Sequence, residues 1–223
     1  MVCEGGLYAL GAHGRFLMRP IVRVVSLAFL AAVPLVGAGC ATRRPASAEV
    51  QRERDFREAA EVAAQAERAQ RAGRWEEAVD LNRKALQRNG SMGGVWLNLG
   101  VGLMQLQENL EAAQCFQRAA ELSATDPKPY ENLALLHMNL GWHDDALRLY
   151  EMSLARSEYW QPSLRGAVLA AKTLNRSTED GLERIKRALL VEKDPTWRRI
   201  LDSEQVRVSQ DIADQRKRDG RAN

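Results

Sequence analysis

The chain is poor in the residue types that small catalytic or metal sites need. It has three cysteines in 223 residues, too few for a disulfide framework. Cys3 and Cys40 lie in or beside an apolar N-terminal region, which leaves Cys115 alone in the body. Cys115 falls within AAQCFQRAA, an apolar helical stretch where a small buried hydrophobe is the expected role, and no activating histidine is near it in sequence. No glycine-rich phosphate loop, nucleophile elbow or paired-cysteine motif is present, so nothing calls for a cofactor, a metal or a small-molecule substrate. Charge of one sign is also missing. Without residues 1–39, which hold Arg15, Arg19, Arg23 and Glu4, the remainder carries 29 basic and 28 acidic residues. The signs are interspersed, no basic stripe can follow a phosphate backbone, and nucleic acid is excluded as a partner class. Beyond residue 50, proline is confined to Pro127, Pro129, Pro162 and Pro195, while Ala, Leu, Glu, Arg and Gln dominate. That mixture favours helix, and 45% hydrophobic with 27% charged residues suits a core-forming chain.

Residues 18–40 read MRPIVRVVSLAFLAAVPLVGAGC. Arg19 and Arg23 precede an apolar run from Val24 to Val36, and Gly37-Ala38-Gly39 follow, which is the charge–apolar–small order of a secretory signal. The small residues followed by Cys40 resemble the lipobox of bacterial lipoproteins, although Gly37 stands where that pattern prefers an aliphatic residue. The resemblance implies a signal peptide over 1–39 (with 1–17 an extension from an upstream start), lipidation at Cys40, and an anchored protein of the bacterial cell envelope facing periplasm or exterior. The rival is a retained single-span helix, since Val24 to Thr42 is uncharged for about the length that just crosses a bilayer. Residues 40–55 carry no apolar period and read as a tether with a reach on the order of 20 Å.

Three segments align at a stride of 34 residues: GRWEEAVDLNRKAL (73–86), QENLEAAQCFQRAA (107–120) and GWHDDALRLYEMSL (141–154). Ala78, Ala112 and Ala146 fall in one column, and Ala66, Gly100 and Ala134 in another. Trp96 matches Tyr130, and Leu99 matches Leu133. Small residues at these places let paired helices approach closely, and one pair cannot bury its apolar face alone. The pattern resembles the tetratricopeptide repeat (TPR), with VWLNLGVGL (95–103) the nearest local match. The resemblance implies an all-α, right-handed superhelix of antiparallel helix pairs over 56–195. It comprises repeats at 59–92, 93–126 and 127–160, and a degenerate one at 162–195 that needs one inserted residue. Repeat one has Asn82 in the aromatic column and reads as a terminal unit. Trp197, Ile200, Leu201, Val208 and Ile212 share one helical face, so 196–213 reads as a capping helix and 214–223 as a disordered tail.

The stretch GWHDDA (141–146) invites a chemical reading, and a hydrolase built on His137, His143 and the nearby acids is the rival from another class. In the repeat register, however, it is a turn between two helices. Asp144 and Asp145 occupy the first turn of the second helix, as Glu76-Glu77 and Glu111 do, where acids complement unpaired N–H groups. His137 and His143 are six apart across a turn, whereas a zinc-binding helix face wants three or four.

In the TPR family, the first helices line a concave groove that takes an extended or helical peptide. Carried over by alignment, the groove residues are Ala63, Glu67 and Gln70; then Leu97, Asn98, Val101, Met104 and Gln105; then Lys128, Glu131, Asn132, Leu135, Met138 and Asn139. Asn98 and Asn132 are candidates to hold a peptide backbone, since an amide both donates and accepts. The remaining surface is apolar and methionine-bearing, which suits an aliphatic or helical ligand. Chaperone-binding members clamp a terminal carboxylate; Asn98 and Lys128 match two of those places, but Ala63, Glu67 and Asn132 do not. Two occupants remain open, a partner segment or the chain's own helix 196–213. The resulting expectation is an envelope-anchored, non-enzymatic interaction scaffold serving outer-membrane, pilus or cell-wall assembly.

Overall fold

The computed structural model describes residues 46–222. The expected signal peptide over 1–39, the expected lipidation site Cys40 and the first part of the expected tether lie outside the described residues. Among the described residues there are nine helices and no strand. They are α1 (Ala46–Arg71), α2 (Trp75–Arg88), α3 (Gly93–Gln105), α4 (Asn109–Leu122), α5 (Lys128–Asn139), α6 (His143–Leu154), α7 (Gln161–Thr173), α8 (Glu179–Val191) and α9 (Pro195–Ala222). Consecutive helices pack as antiparallel pairs, α1 with α2, α3 with α4, α5 with α6 and α7 with α8, and each pair stacks on the next.

The stride has a backbone cause. Gly73, Gln107, Gly141 and Asn175, each 34 residues apart, adopt left-handed φ values of 72°, 65°, 78° and 50°. Behind each, the next N–H reaches back to the first helix: Arg74 to Ala69 O, Glu108 to Leu103 O, Trp142 to His137 O and Arg176 to Ala171 O, all at 2.9 Å. This closure satisfies carbonyls that a helix end would otherwise leave unpaired, and it reverses the chain. Because Asn175 keeps the stride, the fourth pair starts at 161 rather than 162. The inserted residue falls after the turn, before Gly181, where Thr178 Oγ1 accepts from Gly181 N at 3.1 Å and caps α8.

Close approach explains the small columns. A Cβ at Gly100 would lie 2.6 Å from the Phe116 ring, so only glycine lets α4 rest on α3 there. Gly166 of α7 likewise receives the Tyr150 ring from α6, so Tyr150 joins one repeat to the next. On the second helices Asn82, Phe116, Tyr150 and Ile185 are all buried, as are Ala85, Ala119, Ser153 and Ala188 one turn later. Ser163 donates to Ser153 Oγ (2.7 Å), which in turn donates to Pro127 O (2.9 Å), so the buried hydroxyls are satisfied.

Helix α9 closes the array. Leu201, Val208 and Ile212 are buried in the cluster that holds Leu164, Val168 and Ile185. Two buried carboxylates fix it: Glu204 pairs with Lys172 (2.6 Å) and Arg207 (2.9 Å), and Glu192, just before α9, pairs with Arg165 (2.6 Å).

Both ends differ from the reading as tether and tail. Residues 46–55 are helix, the exposed start of α1, and α9 continues past residue 213 to Ala222. Neither stretch has an apolar period; ladders of charge and amide pairs and good helix formers carry them instead. Gln51 Nε2 donates to Asp55 at 2.7 Å, Arg54 meets Glu58 at 3.1 Å, and Lys217 meets Asp214 at 3.2 Å.

Candidate interaction surface

The first helices bring part of the expected groove together. Leu97, Asn98 and Lys128 line a cleft of about 580 Å³ with Ala63 and Glu67. Its walls are α1 and α3, and Asp126 and Lys128 also line it. The side chains follow from helix periodicity: Ala60, Ala63, Ala64 and Glu67 recur along one face of α1, while Gly94, Leu97 and Asn98 do so on α3.

The other groove residues divide differently. Val101 and Met104 are half-buried against the core formed by Leu99, Leu103 and Leu136, and Met138 against the core of the next pairs. Part of their apolar surface therefore serves packing. Leu135 is 37% exposed. Gln70 is spent on structure: its Nε2 donates to Asn98 O at 2.7 Å, tying α1 to α3. Asn132 turns back onto its own helix, with Nδ2 donating to Lys128 O at 2.9 Å. Asn98 is the one of the two asparagines that lines the cleft.

Phe56 and Met92 are cleft residues that the alignment missed. Phe56 is 50% exposed and precedes the repeat boundary, so a repeat-based alignment does not reach it. Its signal was spacing: Phe56, Ala60, Ala63, Ala64 and Glu67 follow the 3- and 4-residue steps of a single helix face.

Glu131, half-buried on α5, stands one repeat beyond Leu97. Burial raises its carboxyl above the ordinary carboxylate range. The buried Tyr150 phenol is raised by burial and then by the nearby Glu131 charge.

The turn at GWHDDA is a joint. Gly141 takes the left-handed conformation, α6 starts at His143, and Asp144 and Asp145 lie in its first turn. Asp144 pairs with Arg176 of the next pair, and Asp145 with Arg148. His137 meets the Trp142 ring edge-on at 5.1 Å between centroids, and burial lowers its pKa. Among the described residues, no three His, Cys, Asp or Glu side chains gather to hold a metal ion. Cys115 is buried, and burial pushes its thiol up to about 12, the behaviour of a core residue rather than a nucleophile.

The last helix does not occupy the cleft. Helix α9 packs on α8 and reaches α7 through Lys172–Glu204, and it makes no packing contact of consequence with α1, α3 or α5. A second side-chain concavity lies between α6, the segment that follows it and α8, lined by Glu151, Glu158, Asp180 and Glu183 with Arg184 and Arg187. Arg184 is paired with Glu151 at 2.7 Å and Arg187 with Glu158 at 3.5 Å, so both of its arginines are engaged within the chain.

No protein-family model and no curated protein matches the sequence. Solved structures do match by shape. A crystal structure of MamA is 19% identical, with 59% of this chain and 76% of that chain covered at a TM-score of 0.54. The crystal structure of TTC0263, a thermophilic TPR protein from Thermus thermophilus, is 15% identical, with coverages of 69% and 82% and a TM-score of 0.54. The first TPR of Spaghetti (RPAP3) bound to the HSP90 peptide SRMEEVD is 16% identical, with coverages of 53% and 94% and a TM-score of 0.50. At these identities the likeness establishes the fold, an all-α array of TPR type.

Proposed function

We propose that the protein is an interaction scaffold that docks a segment of a protein partner on the concave face of its first helices. The observation that carries this reading is the open cleft between α1 and α3, where Leu97, Met92 and Phe56 meet Asn98 and Lys128. Apolar walls with a few polar groups at the rim suit a peptide or an amphipathic helix, with side chains entering the walls and polar groups setting its direction. The Spaghetti TPR domain holds a peptide, which supports a peptide ligand for the same fold. The expected site is Leu97, Asn98, Val101, Met104, Lys128, Glu131, Asn132, Leu135 and Met138, with Phe56 and Met92 added. Recovery of a cross-linked partner with the wild-type chain and its loss with Leu97→Asp plus Met138→Asp is the expected result. Unchanged recovery of every partner removes the groove from the account.

The sequence of residues 18–40 supports a second part of the proposal: the scaffold is held in the bacterial cell envelope by a lipid on Cys40 and faces periplasm or exterior, with a role in outer-membrane, pilus or cell-wall assembly. Mass spectrometry of the mature N-terminus tests it. A diacylated peptide beginning at Cys40 is expected, and an intact apolar segment would replace the lipid with a single-span anchor.

A further inference from the structure

Among the described residues, Glu131 is a carboxylate without an ion-pair partner. Helix α3 carries no charged residue, and on α5 the only formal charges are Lys128 and Glu131. Lys128 lines the neighbouring cleft with Asp126. On α7, the cations at the same positions one repeat later are already engaged: Arg165, in register with Glu131, is held by Glu192, and Lys172, in register with Met138, is held by Glu204. Among the described residues, the Glu131 carboxylate makes no ion pair, and the one hydrogen bond it accepts is from the adjacent Asn132 Nδ2 at 3.3 Å. Burial raises its carboxyl, and no cation pulls it back. The fold thus leaves a partly dehydrated acid on the face that Leu97 shares one repeat earlier, beside the half-exposed Leu135 and Met138. With only that long hydrogen bond to compensate it, such a group is costly until a cation meets it. An acidic segment would set like charge against it, and a basic one would remove the deficit.

We infer that the docked partner segment carries a lysine or arginine whose cation seats against Glu131, between aliphatic side chains that meet Leu97, Leu135 and Met138. The inference rests on the docking reading above and assigns the chemistry of its ligand. The segment is basic and amphipathic, so an acidic tail of the kind that SRMEEVD exemplifies is disfavoured.

Random-peptide display on the full chain tests this without presupposing a ligand sequence. Selected peptides are expected to carry a basic residue between aliphatic ones. Changing that residue to Gln should weaken binding to the wild-type chain about tenfold and change binding to Glu131→Gln far less, the non-additivity of two groups in contact. Helical circular dichroism of Glu131→Gln separates a lost charge from a lost fold. Peptides without a basic preference, or an equal loss on both chains, overturn the inference. Two further outcomes divide it from the docking reading. If Leu97→Asp abolishes binding while no basic preference appears, the surface stands and the cation falls. If Leu97→Asp leaves binding of the selected peptides intact, or if no peptide is enriched at all, the docking surface itself is wrong.

Discussion

Glu192 offers a measurable test of how the last helix is held. Its side chain is 1% exposed, and both oxygens are used. Oε2 accepts from Arg165 Nε at 2.6 Å, and Oε1 from Arg165 Nη2 at 2.6 Å. Gln161 Nε2 also donates to Oε1 at 3.0 Å, and so do the backbone N–H groups of Lys193 and Asp194 at 2.9 and 2.8 Å. Arg165's hydrogen bonds, against the opposing effect of burial and with help from the two backbone donors, bring the carboxyl from 4.5 to about 2. At about 1.4 kcal/mol per pH unit, that difference contributes about 3 kcal/mol to stability. The folded chain holds this proton more weakly than the unfolded one. The contribution is therefore complete above pH 4.5 and is lost as pH falls through about 2. The perturbation is Glu192→Gln, which keeps the shape and removes the charge. Breaking a buried pair costs about 3–5 kcal/mol, and the lower end applies because Arg165 is 27% exposed and water takes over part of its hydration. Urea unfolding of both chains from pH 6 to pH 2 is the assay. Glu204, lowered as well because Lys172 and Arg207 outweigh its burial, titrates in both chains and cancels from the difference. The gap should be about 3 kcal/mol at pH 6 and close as pH approaches 2. Parallel curves, with a gap that does not narrow, would refute the reasoning.

Three further outcomes follow from packing. Asn82 is fully buried, and among the described residues neither its Nδ2 nor its Oδ1 finds a hydrogen-bond partner; Asn82→Leu should stabilise the first pairs by about 1–3 kcal/mol. Hydrogen exchange in α1 to α3 reads this locally, since a stacked array need not unfold in one step, and faster exchange would mean that the amide is satisfied in solution. Gly100→Ala forces a Cβ to within 2.6 Å of the Phe116 ring and should cost about 1–3 kcal/mol by overpacking; an unchanged urea midpoint would show that α3 and α4 part easily. Cys115, with its thiol pushed up to about 12, should stay unmodified by alkylating reagent at pH 8 until denaturant is added. Peptide mass mapping checks this residue separately from Cys3 and Cys40, and rapid labelling under native conditions would contradict its burial.

The sequence alone carried the stride and the pairing of helices, because both depend on local requirements repeated at one spacing. A left-handed residue must end each first helix, and small residues must stand where helices touch, so Gly73, Gly100, Ala112, Ala134, Gly141 and Ala146 announce the architecture. Even the Gln107 and Asn175 turns, where glycine is absent, keep their places by that spacing. The helical ends at 46–55 and 214–222 escaped notice because a polar helix held by neighbouring charge pairs has no apolar period to detect. The cleft was visible as faces of α1, α3 and α5 through Ala63, Glu67, Leu97, Asn98 and Lys128, but Phe56 on α1 lay outside the repeat frame.

Tertiary structure alone decided which charges and amides remain available for a partner. Arg165 and Glu192 are 27 residues apart, Lys172 and Glu204 are 32, and Gln70 and Asn98 are 28. No periodicity marks such pairs in advance. They depend on how successive helix pairs are superposed, and the same superposition leaves Glu131 half-buried and without an ion pair among the described residues while Arg165, one repeat away, is held by Glu192.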